Sequence, residues 1–116
     1  MARVACRRRL SFDRTLQLNK TKRGRPDILI EEVDGAWTII EVKSTEWDRI
    51  ADYRVRPDVQ RHARQVMKYV RYYWEQGIDT IPGLIYPRAP SLRTRRQVIE
   101  EMLEEHSIQV VWFDQR

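Results

Sequence analysis

Cysteine is almost missing from this 116-residue chain: Cys6 is the only one. That excludes an internal disulfide and any cysteine-rich zinc site. Histidine is nearly as scarce. His62 and His106 stand far apart, with no second His or Cys at ligand spacing, and read as ordinary helix-surface or partly buried side chains. No apolar run approaches the roughly 18 residues that suggest a membrane span. The N-terminus, Met1 to Arg9, lacks the apolar stretch of a secretory signal. A cytoplasmic site of action is expected, and delivery from another cell by a route that reads no N-terminal signal stays open. Repeats, low-complexity tracts and Gly/Ser linkers are absent as well, so the chain reads as one small domain with one core.

What is present is charge. Hydrophobic residues make up 41% and charged residues 34% of the chain, a globular composition. The net charge of +5 favours a polyanionic partner. Its distribution is uneven: Arg3, Arg7, Arg8, Arg9, Arg14, Lys20, Lys22, Arg23 and Arg25 precede residue 26 against Asp13 alone. Residues 1–25 therefore read as a basic arm with one strand-like stretch over 3–18, and 26–116 as the core. A solvated arm would look the same. This one runs directly into Pro26-Asp27.

Residues 27–32 and 36–43 read as paired strands around Asp34-Gly35. Ser44 to Arg56 reads as a loop. Pro57 then opens a helix that ends at Gly77, with Val59, Ala63, Val66, Val70 and Tyr73 as its apolar stripe. Residues 83–86 form a short strand between Pro82 and Pro87. Ser91 can N-cap a second helix over about 92–106, with Leu92, Ile99, Met102 and Leu103 facing inward. Ile108 to Phe113 makes the last strand. The expected class is α/β, a sandwich with a mixed sheet flanked by helices.

Two registers are open to the hairpin. A two-residue type I′ turn at Asp34-Gly35 pairs Asp27 with Val42 and points Asp27 and Glu41 to opposite faces. A three-residue loop, Val33-Asp34-Gly35, pairs Glu32 with Ala36 and sets Asp27 opposite Glu41. Lys43 then shares their face, two residues along the strand. Turn propensity alone slightly favours the first register; a joint site needs the second. Both faces of the hairpin carry apolar residues, so it is expected in the middle of the sheet.

Two carboxylates at the end of such a strand pair repel each other and are poorly solvated, and a divalent cation removes the conflict. Mg²⁺ binds through one or two carboxylates plus waters and phosphate. Asp27 and Glu41 would supply the carboxylates and the Val42 carbonyl a third oxygen. Mn²⁺, or Zn²⁺ held by carboxylates, fits the same donors. Lys43 would orient or deprotonate a water, or neutralise charge on a phosphate. The bland alternative is a surface ion pair between Glu41 and Lys43, with Asp27 capping a turn.

The run Arg-Pro-Asp27-Ile, then Ile-Ile-Glu41-Val-Lys43-Ser, with an amphipathic helix after it, resembles the PD-(D/E)XK nuclease superfamily, the restriction-endonuclease-like fold. The resemblance covers about residues 25–76 and the rest by element order. It implies Asp27, Glu41 and Lys43 as the catalytic triad. It also implies a glutamine on the following helix, for which Gln60 and Gln65 are candidates, Gln65 preferred. Members usually begin with a helix bearing a further carboxylate. Only Asp13 precedes Asp27 here, so either that acid is dispensable or the chain is a fragment. Within the superfamily, the small size and basic head look most like the C-terminal nuclease toxin domains of bacterial polymorphic or contact-dependent inhibition systems, which are paired with an immunity protein. A repair, recombination or restriction-type nuclease acting as a homodimer is the second reading. A nucleic-acid-binding module without catalysis is the third. DNA is favoured as substrate and RNA remains open, as does a monomeric or homodimeric state.

Arg25 leads into the site. Arg61, Arg64, Lys68 and Arg71 fall at steps of three, four and three on the first helix, opposite its apolar stripe. Such a ridge can follow a phosphate backbone or simply be solvated. Arg93, Arg95 and Arg96 crowd the start of the second helix, with Glu100, Glu101, Glu104 and Glu105 at its end. Both clusters oppose the helix dipole. Phosphate for the arginines and the basic arm for the glutamates would account for them, and so would solvation. Trp47 and Tyr53 can stack on an unpaired base or pack in the core.

Overall fold

The computed structural model describes residues 26–114. The chain starts with a hairpin, β1 (Ile28–Glu31) and β2 (Trp37–Val42). A 3-10 turn over Trp47–Arg49 leads into α1 (Asp52–Glu75). Then come β3 (Thr80–Arg88), α2 (Arg93–Glu104) and β4 (Gln109–Asp114). The four strands form one sheet in the order β1-β2-β3-β4. The hairpin is antiparallel, and β3 runs parallel to both β2 and β4. The fold is therefore α/β with a mixed sheet.

The hairpin takes the three-residue loop. Ile28 pairs with Ile40 and Glu31 with Trp37, and Glu32 N donates to Ala36 O at 2.8 Å. Inside the loop, Ala36 N donates to Asp34 Oδ1 at 3.0 Å, and Gly35 sits at φ +94°. The Asp34 carboxylate thus satisfies an amide that a two-residue turn would bond differently. Burial decides the matter further: this register puts Leu29 and Ile39 on one face, and both are buried. A slip of one residue would turn one of them out.

Both helices lie on that face. Leu29, Ile39, Leu84, Tyr86 and Trp112 of the sheet pack against Val55, Val59, Ala63, Val66, Val70 and Tyr73 of α1 and Ile99 and Leu103 of α2. The opposite face carries Ile28, Ile30, Ile40 and Ile85, partly buried, and Val42, Val111 and Phe113, exposed among the described residues. The expected central position holds for β2 only. Among the described residues β1 has one neighbour and forms an edge. The strand expected over 3–18, and Asp13, lie outside the described residues.

Three boundaries differ from those expected. Helix α1 begins at Asp52, so Pro57 lies inside it rather than at its start. Pro57 has no N–H to offer the Tyr53 carbonyl. Burial of Val55, two residues earlier, offsets that loss. Strand β3 spans nine residues and includes both prolines. Pro82 lies before β4 begins pairing at Gly83, and Pro87 lies after β2 stops pairing at Ile85. Each proline sits where β3 is flanked on one side only, where a missing donor is tolerated. Ser91 does not cap α2. Its N–H and hydroxyl both donate to Asp48, at 2.8 and 2.7 Å, which leaves Leu92 at the cap position without a side-chain bond. The C-terminus of α1 follows the sequence closely. Gly77 is left-handed, Gly77 N donates to Trp74 O and Ile78 N to Tyr73 O, the pattern of a glycine-terminated helix.

Candidate active site

The register continues one step past β1, where Asp27 faces Glu41. Asp27 Oδ2 accepts the Val42 N–H at 2.8 Å, which ties the acid to the end of β2. Glu41 points to the helix-facing side and is only 8% exposed. Its Oε2 is buried without a hydrogen-bond partner. Burial, and next the charge of Asp27, push the Glu41 carboxyl up to about 7, with Lys43 pulling the other way. Lys43 lies two residues on, where its ammonium donates to Gln65 Oε1 on α1. Strand and helix thus meet at the site through one side-chain bond.

Gln60 and Gln65 separate here. Both line a groove on the outer surface of α1, but Gln65 also holds Lys43. Sequence reasoning missed Tyr69. Its phenol is pushed to about 12, by burial first and then by the charges of Glu41 and Asp27, so it feels both acids. The signal was available: Tyr69 follows Gln65 by four residues and shares its helix face.

Asp27 and Glu41 fit a hard cation. A buried carboxylate oxygen with no donor, facing a second carboxylate, is poorly stabilised by the protein alone. Among the described residues no three His, Cys, Asp or Glu gather to hold a metal. The donors a cation would find here are two carboxylates, backbone oxygen and water, a set that would suit Mg²⁺ better than a closed zinc site.

His62 lies one helical turn from Gln65, buried, with Nδ1 2.8 Å from the Tyr86 hydroxyl. Burial, then Lys43 and Arg61, lower its pKa to about 4. The imidazole is neutral in the fold and titrates near 6.5 when unfolded. Its contribution is full above pH 6.5 and is lost as pH falls toward 4, about 3 kcal/mol in all. We expect the stability gap between the protein and His62→Gln, measured by urea unfolding, to narrow by about that amount between pH 7 and 4. A gap that stays constant with pH would refute this account of the histidine.

The basic residues divide. Arg61 pairs with the buried Asp58 at 2.8 Å. Burial raises the Asp58 carboxyl, but the bonds and charges of Arg61 and Arg54 outweigh it and hold the pKa low. Arg64, Lys68 and Arg71 are exposed along α1. Arg93 is exposed at the start of α2, and Arg25 lies outside the described residues. Arg95 is turned inward. Its side chain is 11% exposed, and it donates to Trp47 O at 2.7 Å, Ile50 O at 2.9 Å and Asp52 at 3.0 Å. Arg96 bonds Glu100 at 2.9 Å and lies 5.8 Å over the Trp112 ring. Neither arginine is placed as a free phosphate contact. The fold itself answers part of the clustering of arginines at the start of α2: Arg95 holds the loop that follows the site, and Arg96 pairs within α2. Glu100 likewise takes Arg96 and the Trp112 indole N–H, at 2.8 Å. Trp47 is wholly buried, edge-on to Tyr86 at 5.2 Å, so it cannot stack on a base. Tyr53 is 82% exposed.

The chain was compared with protein-family models, with curated proteins and with solved structures, and none matches.

Proposed function

We propose that this chain is a metal-dependent nuclease of the restriction-endonuclease-like superfamily, hydrolysing phosphodiester bonds in nucleic acid, with DNA favoured. The observation that carries the reading is Glu41: a buried carboxylate with an orphan oxygen, facing Asp27, with Lys43 next on the same strand face. A surface ion pair would leave Glu41 solvated. Asp27 and Glu41 are the residues that would hold the cation, with the Val42 carbonyl as a further oxygen. Bound Mg²⁺, or Mn²⁺ or Zn²⁺ in its place, supplies charge neutralisation at a phosphate and a more acidic water.

The chain's own residues do the rest. The Val42 N–H fixes the Asp27 carboxylate in orientation. Gln65 accepts from Lys43 and so holds its ammonium beside the two acids. A lysine held as a donor suits neutralising or orienting a phosphate better than taking a proton.

The small size and basic head support a role as a toxin effector domain, with an acidic immunity protein as partner. Plasmid DNA and total tRNA incubated with the purified protein test the chemistry. Cutting is expected with Mg²⁺, not with chelator, and not in Glu41→Gln, with a loss of at least about 100-fold. Intact substrate in every condition would overturn the proposal. Killing of a bacterial host on induced expression, lost in the same variant, tests the toxin role.

A further inference from the structure

Outside the site, α1 carries a groove of about 690 Å³ on its solvent side. Arg64, Lys68, Arg71 and Arg61 line it, with Gln65 at its edge and His106, from beyond α2, on it as well. Ala63 and Met67 give it an apolar floor. Its charge is not explained by the fold. Arg61 is committed to Asp58, whereas Arg64, Lys68 and Arg71 show no ion pair with any described residue. They stand at i,i+4 and i,i+3, where like charges destabilise a helix. Arg95 and Arg96 of α2 make the contrast: both are bonded within the protein.

The groove also has a direction. Gln65 belongs both to the groove and, through its bond to Lys43, to the candidate active site. From Arg64 to Arg71 the row spans about 10 Å along the helix axis. A stacked strand rises about 3.4 Å per nucleotide, so the row matches about three phosphates.

We propose that this groove is the track for one nucleic-acid strand, gripping its phosphates with Arg64, Lys68 and Arg71 and delivering the backbone past Gln65 to Asp27 and Glu41. The delivery step rests on the nuclease reading; the grip does not. Two features favour a nucleic-acid strand over an acidic polypeptide. The cations are evenly spaced in a row, as phosphates are, and the apolar floor can take a sugar or base face between them.

The test is binding of a labelled twelve-nucleotide single strand to the full chain in chelator, where no cutting intervenes, over a salt series. Lys68→Gln/Arg71→Gln is compared with Arg49→Gln/Arg56→Gln, which removes the same charge from outside the groove. The groove variant is expected to bind about tenfold more weakly, and its slope of log K against log salt to fall by about 1.4, since each phosphate contact contributes about 0.7 for single strands. The control should keep both within about twofold of the parent. Equal losses in the two variants, or none in the groove variant, would overturn the track. So would polyglutamate of equal charge displacing the strand as well as unlabelled strand does. Binding through the groove without metal-dependent cutting would leave the track standing and remove the nuclease reading. Cutting that ignores the groove variant would do the reverse.

Discussion

Glu41→Gln is expected to make the metal-free protein more stable at pH 8. The sign follows from the site. Burial and Asp27 raise the Glu41 carboxyl to about 7, against about 4.3 in an unfolded chain. A raised carboxyl favours the fold when protonated. Its contribution is full below the unfolded value and is lost as pH rises through 7. Above pH 8 the folded protein therefore carries the whole penalty of an ionised, unpartnered carboxylate, about 3 kcal/mol. The amide has no charge to desolvate but still gives up water, so the expected gain is about 2 kcal/mol. Urea unfolding at pH 8 and pH 5 checks it: the gain should shrink toward pH 5. Saturating Mg²⁺ should close the gap from the other side, because a ligand bound only by the fold stabilises it by about 1.4 kcal/mol at tenfold over Kd. A loss of stability in Glu41→Gln at pH 8 would return Glu41 to an ordinary ion pair with Lys43.

Trp47→Ala has the second large effect, on folding rather than chemistry. The indole is fully buried, edge-on to Tyr86 at 5.2 Å and tilted against His62 at 5.8 Å. Truncation to alanine leaves a cavity and costs about 3–5 kcal/mol, much of a small domain's stability. Trp47→Phe should cost far less. It keeps most of the volume, and it removes an indole N–H that is buried without a partner. Trp74→Ala is the control, since Trp74 is half exposed, and should shift stability by under about 1 kcal/mol. Thermal unfolding of the three variants ranks them. Equal losses for Trp47→Ala and Trp74→Ala would remove Trp47 from the core.

The hairpin was legible because strand geometry allows only two answers. Once Asp27 and Glu41 are required on one face, the loop length, the pairing of Glu32 with Ala36 and the place of Lys43 follow. The apolar stripe of α1 and its glycine stop were legible for the same reason, a clean period and a residue that tolerates positive φ. Pro57 misled at the other end: its preference for a first turn is local, and the burial of Val55 is not. Strand β3 looked short because prolines bound its apolar centre. Only the stagger of the neighbouring strands, invisible in sequence, makes room for them. Arg95 was hardest. Its partners are carbonyls of Trp47 and Ile50, more than forty positions away, and a bond to backbone leaves no mark on the partner's identity. Nothing in the spacing of Arg93, Arg95 and Arg96 says which one turns inward.

The three-residue loop makes the site a matter of parity. Side chains alternate along a strand, so the facing of Asp27 and Glu41 depends on whether the count of residues between the strands is odd or even. The chemical identity of Val33, an exposed side chain at the tip, is nearly free to drift. The length of the loop is not. Removing one residue while a three-residue loop is kept would slide β1 by a step and turn Asp27 to the far side, leaving Glu41 alone among apolar neighbours. Putting one back would restore the match. A pair of acids fourteen positions apart along the chain is thus kept together by an arithmetic property of the segment between them, one that no inspection of either acid alone would reveal.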